Sequence, residues 1–184
     1  MRHLIILPGN SPRNRAWGET CATHFSKWFD SVCVQEYLHW QGGEQWINLA
    51  TEEERLREHM TSVSADAEIY MFAKSIGSIL AVNAIAHNAI TPAGCVFFGM
   101  PLDHAVPEVW HGSMAPLATL APSTLVFHND ADPTTQYEYT RDTLVAEAPE
   151  VTFVTTEGMT HDYLDFASYE PAILTNILPT TWKH

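Results

Sequence analysis

Short apolar runs, each stopped by glycine, proline or a polar cluster, alternate along this chain with longer stretches whose apolar side chains recur every three to four residues. The run over 4–7 (Leu-Ile-Ile-Leu), stopped by Pro8-Gly9, reads as a strand buried on both faces. Behind it, Trp17, Cys21, Phe25 and Trp28 fall on one helical stripe, with Asn10, Ser11 and Pro12 as start signals. Residues 31–37 predict a second strand, and Thr51 with Glu54 forms a capping box ahead of the stripe Leu56, Met60, Val63. Strands are then expected over 68–72, 94–98, 124–128 and 151–155, with helices from 76 to about 88, over 135–147 and over 168–178. Strands that alternate with helices build βαβ units. The fold class is therefore α/β, a three-layer sandwich with a mostly parallel six-stranded sheet and helices on both faces. In such sheets ligands sit at the carboxyl ends of the strands.

The stretch 69–80 is the centre of this pattern. An apolar strand breaks at Lys74-Ser75 and resumes as an Ala- and Ile-rich helix, so Ser75 falls on a sharp strand-to-helix turn. Such a turn needs small residues two positions to either side, and Ala73 and Gly77 meet that need. The Ser75 hydroxyl then stands at the positive end of the helix, with the Ile76 N–H free to point at a developing oxyanion. The ordinary reading of this stretch alone is a strand running into a core helix.

Two later loops change that balance. His128-Asn129-Asp130-Ala131-Asp132-Pro133 follows the fifth strand, and Gly158-Met159-Thr160-His161 follows the sixth. Hydrolysis by serine needs a base for the hydroxyl proton and a carboxylate to orient that base. Ser75, Asp132 and His161 appear in the order nucleophile, acid, base, each after a different strand. Asp130 is the rival acid, with turn capping as its ordinary role, and Asp103 after the fourth strand is a more distant one. His128 reads as a buried, satisfied histidine.

Composition narrows the field. Nine basic residues against 22 acidic give a formal charge of −13, which argues against nucleic acid or an anionic membrane as partner. The apolar run at the N-terminus is too short for a signal peptide or a membrane span. Cys21, Cys33 and Cys95, odd in number and without a C-x-x-C, read as reduced buried thiols of a cytoplasmic protein. Metal-ligand spacings and glycine-rich phosphate loops are missing, so no cofactor and no metal are expected. The 184 residues suit one domain, 1–184, with a lid-like insertion at about 99–122.

On Leu7-Pro8-Gly9-Asn10, Ala73-Lys74-Ser75-Ile76-Gly77, the 128–133 loop and Gly158-Met159-Thr160-His161, the chain resembles the α/β-hydrolase superfamily. More narrowly, it resembles the compact serine hydrolases of the retinoblastoma-binding-protein type. The resemblance implies a minimal α/β-hydrolase sheet of order 2-1-3-4-5-6, and it implies that the Asn10 N–H joins that of Ile76 in the oxyanion hole. Ala73 in place of the usual first glycine, Lys74 beside the nucleophile, Pro8 before Gly9 and Asn129 in place of a glycine are departures from the family pattern.

The expected activity is that of a serine esterase acting on a small-molecule ester or thioester through an acyl-enzyme. A peptidase or amidase on the same three residues, and a non-catalytic interaction module that keeps the fold, are the alternatives. Met100, Leu102, Trp110, Met114 and Leu117 crowd into the 99–122 connection and would line a small acyl pocket if it folds over the site. The other reading is that this connection packs on the sheet edge. Natural substrate and oligomeric state are not encoded in any of these features.

Overall fold

In the computed structural model, which describes residues 1–105, 113–120 and 123–178, all six strands belong to one sheet. The strands are β1 (Arg2–Leu7), β2 (Ser31–Val34), β3 (Glu68–Lys74), β4 (Gly94–Phe98), β5 (Thr124–Asn129) and β6 (Thr152–Thr156). Their order is β2-β1-β3-β4-β5-β6 and every pairing is parallel. The expected sheet is thus present, with nothing antiparallel in it.

Between strands lie α1 (Asn14–Phe25), α2 (His39–Gly42), α3 (Leu49–Met60), α4 (Ile76–Ala86), α5 (Leu102–Ala105), α6 (Ala115–Ala118) and α7 (Tyr137–Glu147), with α8 (Phe166–Asn176) last. The period of two along the strands divides the core into two layers. Ile5, Leu7, Met71, Ala73, Cys95, Phe97 and Val126 face α3, α4 and α6. Leu4, Ile6, Tyr70, Phe72, Val96, Phe98, Leu125 and Phe127 face α1 and α8, where Trp17, Phe25 and Phe166 form a run of edge-on and tilted aromatic contacts. Helix α4 is apolar all round and buried, as a helix at the centre of such a layer must be.

Some local expectations are corrected. The ladder between β1 and β2 ends at Val34, because β1 runs into Pro8, which has no N–H to donate; Tyr37 bonds the Pro8 carbonyl from outside the sheet instead, at 2.8 Å. Helix α3 starts at Leu49 under an Asn48 cap whose side chain accepts the Thr51 N–H at 3.0 Å, so the Thr51 capping box does not form. Glu52 is then free to turn inward. It is buried and takes hydrogen bonds from Gln35, the Leu38 N–H and Arg55. Helix α1 ends at Phe25, leaving half-buried Trp28 in the turn that follows. The three cysteines are free, and Cys33 is only half-buried because β2 is an edge strand.

Candidate active site

Strand β3 extends two residues beyond its expected end, keeping its ladder to β4 as far as the Lys74–Phe98 pair, and the chain then reverses at Ser75. Ser75 has φ 53° and ψ −129°, a conformation that side-chain-bearing residues seldom adopt and that costs on the order of 1–3 kcal/mol. The surroundings hold it there. Its N–H donates to the Phe98 carbonyl at 2.9 Å, and its carbonyl accepts the Ser78 N–H at 2.9 Å and the Ser78 hydroxyl at 2.6 Å. A Cβ at Gly77 would collide with the Leu7 and Pro8 carbonyls, so only glycine lets α4 start this close to the end of β1.

His161 reaches the same end of the sheet from the β6–α8 loop. Its Nδ1 lies 2.8 Å from Asp132 Oδ2, and the Asp132 side chain is fully buried. Nε2, the other ring nitrogen, is enclosed and has no hydrogen-bond partner among the described residues. The ring edge rests on Gly99: a Cβ there would stand 2.9 Å from His161 Cε1. Gly99 directly follows Phe98, whose carbonyl anchors Ser75. The imidazole and the serine therefore share one corner of the β3–β4 ladder.

Asp132 has a second donor. The Tyr163 hydroxyl gives its proton to the same Oδ2 at 2.7 Å while accepting the Asn129 N–H at 3.0 Å, and Oδ1 takes the Thr134 N–H at 2.8 Å. Burial pushes the Asp132 carboxyl upward, but hydrogen bonds from His161, Tyr163 and Thr134 outweigh it and hold the group below its ordinary value. Burial raises the Tyr163 phenol well above its ordinary range, so it remains a proton donor.

The remaining candidates take structural places. Asp130 bonds the Gly158 N–H at 3.2 Å, pinning the neighbouring loop rather than the imidazole. Asp103 accepts the Gln136 N–H at 3.1 Å. His128 is buried, bonded to the Asn129 carbonyl at 2.9 Å and to Thr135 at 3.3 Å, and burial lowers its pKa. Asn129 clamps the loop before His161: its Nδ2 donates to the Thr160 carbonyl at 2.7 Å, and its Oδ1 accepts the Thr156 hydroxyl at 2.6 Å.

Asn10 stands in the loop that follows β1, the strand beside β3. Its carbonyl accepts Trp40 Nε1 at 2.7 Å and bonds His39 Nε2 at 2.8 Å, and its side chain bonds the Gln45 carbonyl and the Ile47 N–H. Neither the Asn10 N–H nor the Ile76 N–H donates to another described group. Met100, Leu102, Met114 and Leu117 are fully buried and belong to the α4-side core, so their apolar character is used in packing. Trp110 lies outside the described residues.

Tyr163 and Asn14, whose Oδ1 accepts the Lys74 ammonium at 2.7 Å, are not among the residues the sequence singles out, and Asn129 stands there only as a departure from the family pattern. The available signal was Tyr163 two residues beyond His161 and the replacement of a loop glycine by Asn129, whose side chain fills the space in front of Gly158. Among the described residues no group of three or more His, Cys, Asp or Glu is placed to hold a metal, and no helix is long and apolar enough to cross a membrane.

No protein-family model and no curated protein matches the chain, whereas solved structures do. An uncharacterized protein from Bacillus cereus superposes with a TM-score of 0.70 at 17% identity, over 95% of this chain; the chain spans only 59% of that protein. Acyl-protein thioesterase 2 of Zea mays gives 0.60 at 16% identity, covering 97% of this chain and 94% of that one. An α/β serine hydrolase without lid from Xanthomonas campestris gives 0.59 at 15% identity, over 98% and 84%. The finer likeness to the retinoblastoma-binding-protein type is not shown by these structures and rests on the sequence motifs. With its parallel six-stranded sheet, its order and these neighbours, the chain has the α/β-hydrolase fold in a minimal form.

Proposed function

We propose that the chain is a serine hydrolase that cleaves small carboxylic esters or thioesters through an acyl-enzyme, with Ser75 as nucleophile, His161 as base and Asp132 as acid. The observation that carries this reading is His161 itself, tied at Nδ1 to buried Asp132 and left at Nε2 with an enclosed, partnerless nitrogen. A buried polar atom without a partner is rare and calls for an explanation. A hydroxyl proton from Ser75 supplies one.

In this scheme Nε2 takes the Ser75 proton as Oγ attacks the carbonyl carbon. The Asn10 and Ile76 N–H groups receive the oxyanion at the positive end of α4. As the tetrahedral intermediate collapses, imidazolium returns the proton to the departing alkoxide or thiolate. Water then repeats the sequence, releasing the acid and free Ser75. Asp132 keeps Nδ1 protonated and stabilises the imidazolium, and Tyr163 fixes Asp132. The thioesterase name of the maize neighbour supports including thioesters in the substrate class.

A fluorophosphonate probe tests the scheme. Wild type is expected to take one label, on Ser75, and to hydrolyse p-nitrophenyl acetate. Ser75→Ala is expected to lose the label and about 10⁴-fold or more of kcat with an unchanged circular-dichroism spectrum. Full activity in Ser75→Ala would remove this serine from the mechanism.

A further inference from the structure

Lys74, immediately before the nucleophile, has no part in that scheme. It follows Tyr70 and Phe72 in phase along β3 and so projects toward the α1–α8 layer, where it is only 5% exposed. Its Nζ donates to Asn14 Oδ1 at 2.7 Å. An ammonium is unfavourable in a layer of aromatic side chains, and an aliphatic residue would pack there without that penalty. The position therefore calls for a use of the charge.

Asn14 shows where that use lies. It opens α1, the helix that begins just past the 8–12 loop. Its side-chain amide rests against the same loop: a Cβ at Gly9 would stand 2.7 Å from Asn14 Nδ2. One end of this amide thus touches the loop that presents the Asn10 N–H, and the other end holds the residue next to Ser75. The titratable groups that act on Lys74 are Asp162 in the β6–α8 loop, next in sequence to His161 and Tyr163, and Asp132 after β5; α1 has no acidic residue in its first turn. Burial brings the ammonium down to about 8, and the Asp162 and Asp132 carboxylates oppose that fall.

We propose that Lys74 is a positioning residue: in its charged form, through Asn14, it fixes the oxyanion loop at the end of β1 relative to the Ser75 turn. This rests on the serine-hydrolase reading of the site. Protonated, Lys74 makes a charge-assisted bond to Asn14 Oδ1; as the neutral amine it makes a weaker one and the loop loosens. The oxyanion forms only in the transition state, so the loss falls on kcat and leaves KM nearly unchanged.

The test measures kcat and KM for p-nitrophenyl acetate from pH 6 to 10.5, together with fluorophosphonate labelling, for wild type, Lys74→Met, Lys74→Arg and Asn14→Ala. The charge is present at low pH, so wild-type kcat is expected to fall as pH rises through about 8. Lys74→Met is expected to show a plateau about tenfold lower at pH 7, no such fall, and an unchanged KM. In Lys74→Arg the fall is expected to move beyond the measured range. The Lys74→Met/Asn14→Ala double variant should be no slower than either single one. A Lys74→Met enzyme with wild-type kcat, or with the alkaline fall intact, overturns the proposal. If Lys74→Met does not fold, the half-buried Asn14 carries the test, and Asn14→Ala at wild-type kcat overturns it equally. A wild-type protein that takes no probe and cleaves no ester sinks the hydrolase reading, and this inference with it. The two failures are thereby told apart.

Discussion

Tyr163 and His161 donate to the same oxygen of Asp132, at 2.7 and 2.8 Å, from two residues apart in one loop. The phenol also accepts the buried Asn129 N–H. Tyr163→Phe therefore leaves one donor unpaired and removes one bond from the carboxylate. The expected result is a loss of about 1–3 kcal/mol in urea unfolding at pH 7, with kcat reduced about tenfold. The pH dependence has a definite sign. The Asp132 carboxyl is depressed in the folded state, so its contribution is present above its unfolded value near 3.8 and is lost as pH falls through the folded value. Part of that depression comes from Tyr163. The stability gap between wild type and variant should narrow on acidification below pH 4, and a gap that widens would exclude the phenol as a support of the carboxylate.

Asp130 and Asp132 lie two residues apart and do different things. Asp132→Asn is expected to lower kcat by roughly 10³–10⁴, because an amide facing Nδ1 favours the wrong imidazole tautomer. Asp130→Asn keeps an acceptor for the 3.2 Å bond from the Gly158 N–H and loses only its charge, so it should stay within a few-fold of wild type. Ester kinetics on the two variants decide between them, and a reversed ranking would move the acid to Asp130.

Gly99, at φ 57°, is the floor under the imidazole. In Gly99→Ala the new methyl would meet Tyr163 Cε2 at 2.6 Å and His161 Cε1 at 2.9 Å, in a backbone region that alanine disfavours. Both rings must shift, and displacing the imidazole proposed as base by about 1 Å can cost on the order of 10² in rate. Activity should fall far more than the helical circular-dichroism signal; unchanged kcat in a folded variant would show that the ring does not rest on this glycine during turnover.

Lys74 also predicts a stability signature opposite in sign to its effect on activity. Its folded pKa of about 8 lies below the ordinary 10.5, so between those values the unfolded chain binds the extra proton and folding gains with rising pH. The stability of wild type relative to Lys74→Met should rise over pH 8 to 10.5, by up to about 3 kcal/mol, and be flat below pH 7. The paired comparison is needed because burial raises the Cys21, Cys33 and Cys95 thiols, which destabilise the fold over the same alkaline range. A flat difference across the range would mean that Lys74 titrates as an ordinary exposed amine.

Periodicity carried the sheet, since runs such as 4–7 and 94–98 are buried on both faces and have no other use. The turn at Ser75 was legible because steric rules fix its neighbours, and the meeting of Asp132 with His161 because both lie in loops that leave the paired strands β5 and β6 at the same end. Helix starts were less visible: Asn48 outcompeted Thr51 as cap, a choice set by where Glu52 finds donors in the folded chain. The contacts of Tyr163, Asn129 and Asn14 have no signature in the sequence, because hydrogen bonds across 27 to 60 residues leave no local pattern. Met100, Leu102, Met114 and Leu117 showed the same limit, since hydrophobicity marks burial and does not say whether a core or a ligand does the burying.

The proposed base, His161, is hung from an edge strand. β6 pairs only with β5 and is half-buried along most of its length, whereas β3, β4 and β5 are buried almost throughout. An edge strand and its outgoing loop can open without the centre of the sheet, as a low-energy cooperative unit of their own. Inactivation on gentle warming or in dilute urea would then precede global unfolding, with amides of β6 and the 157–165 loop exchanging their hydrogens before those of β3. Ser75 would keep its strained turn throughout that sub-global opening, and the lost activity would return on cooling at the speed of local reclosure rather than of refolding.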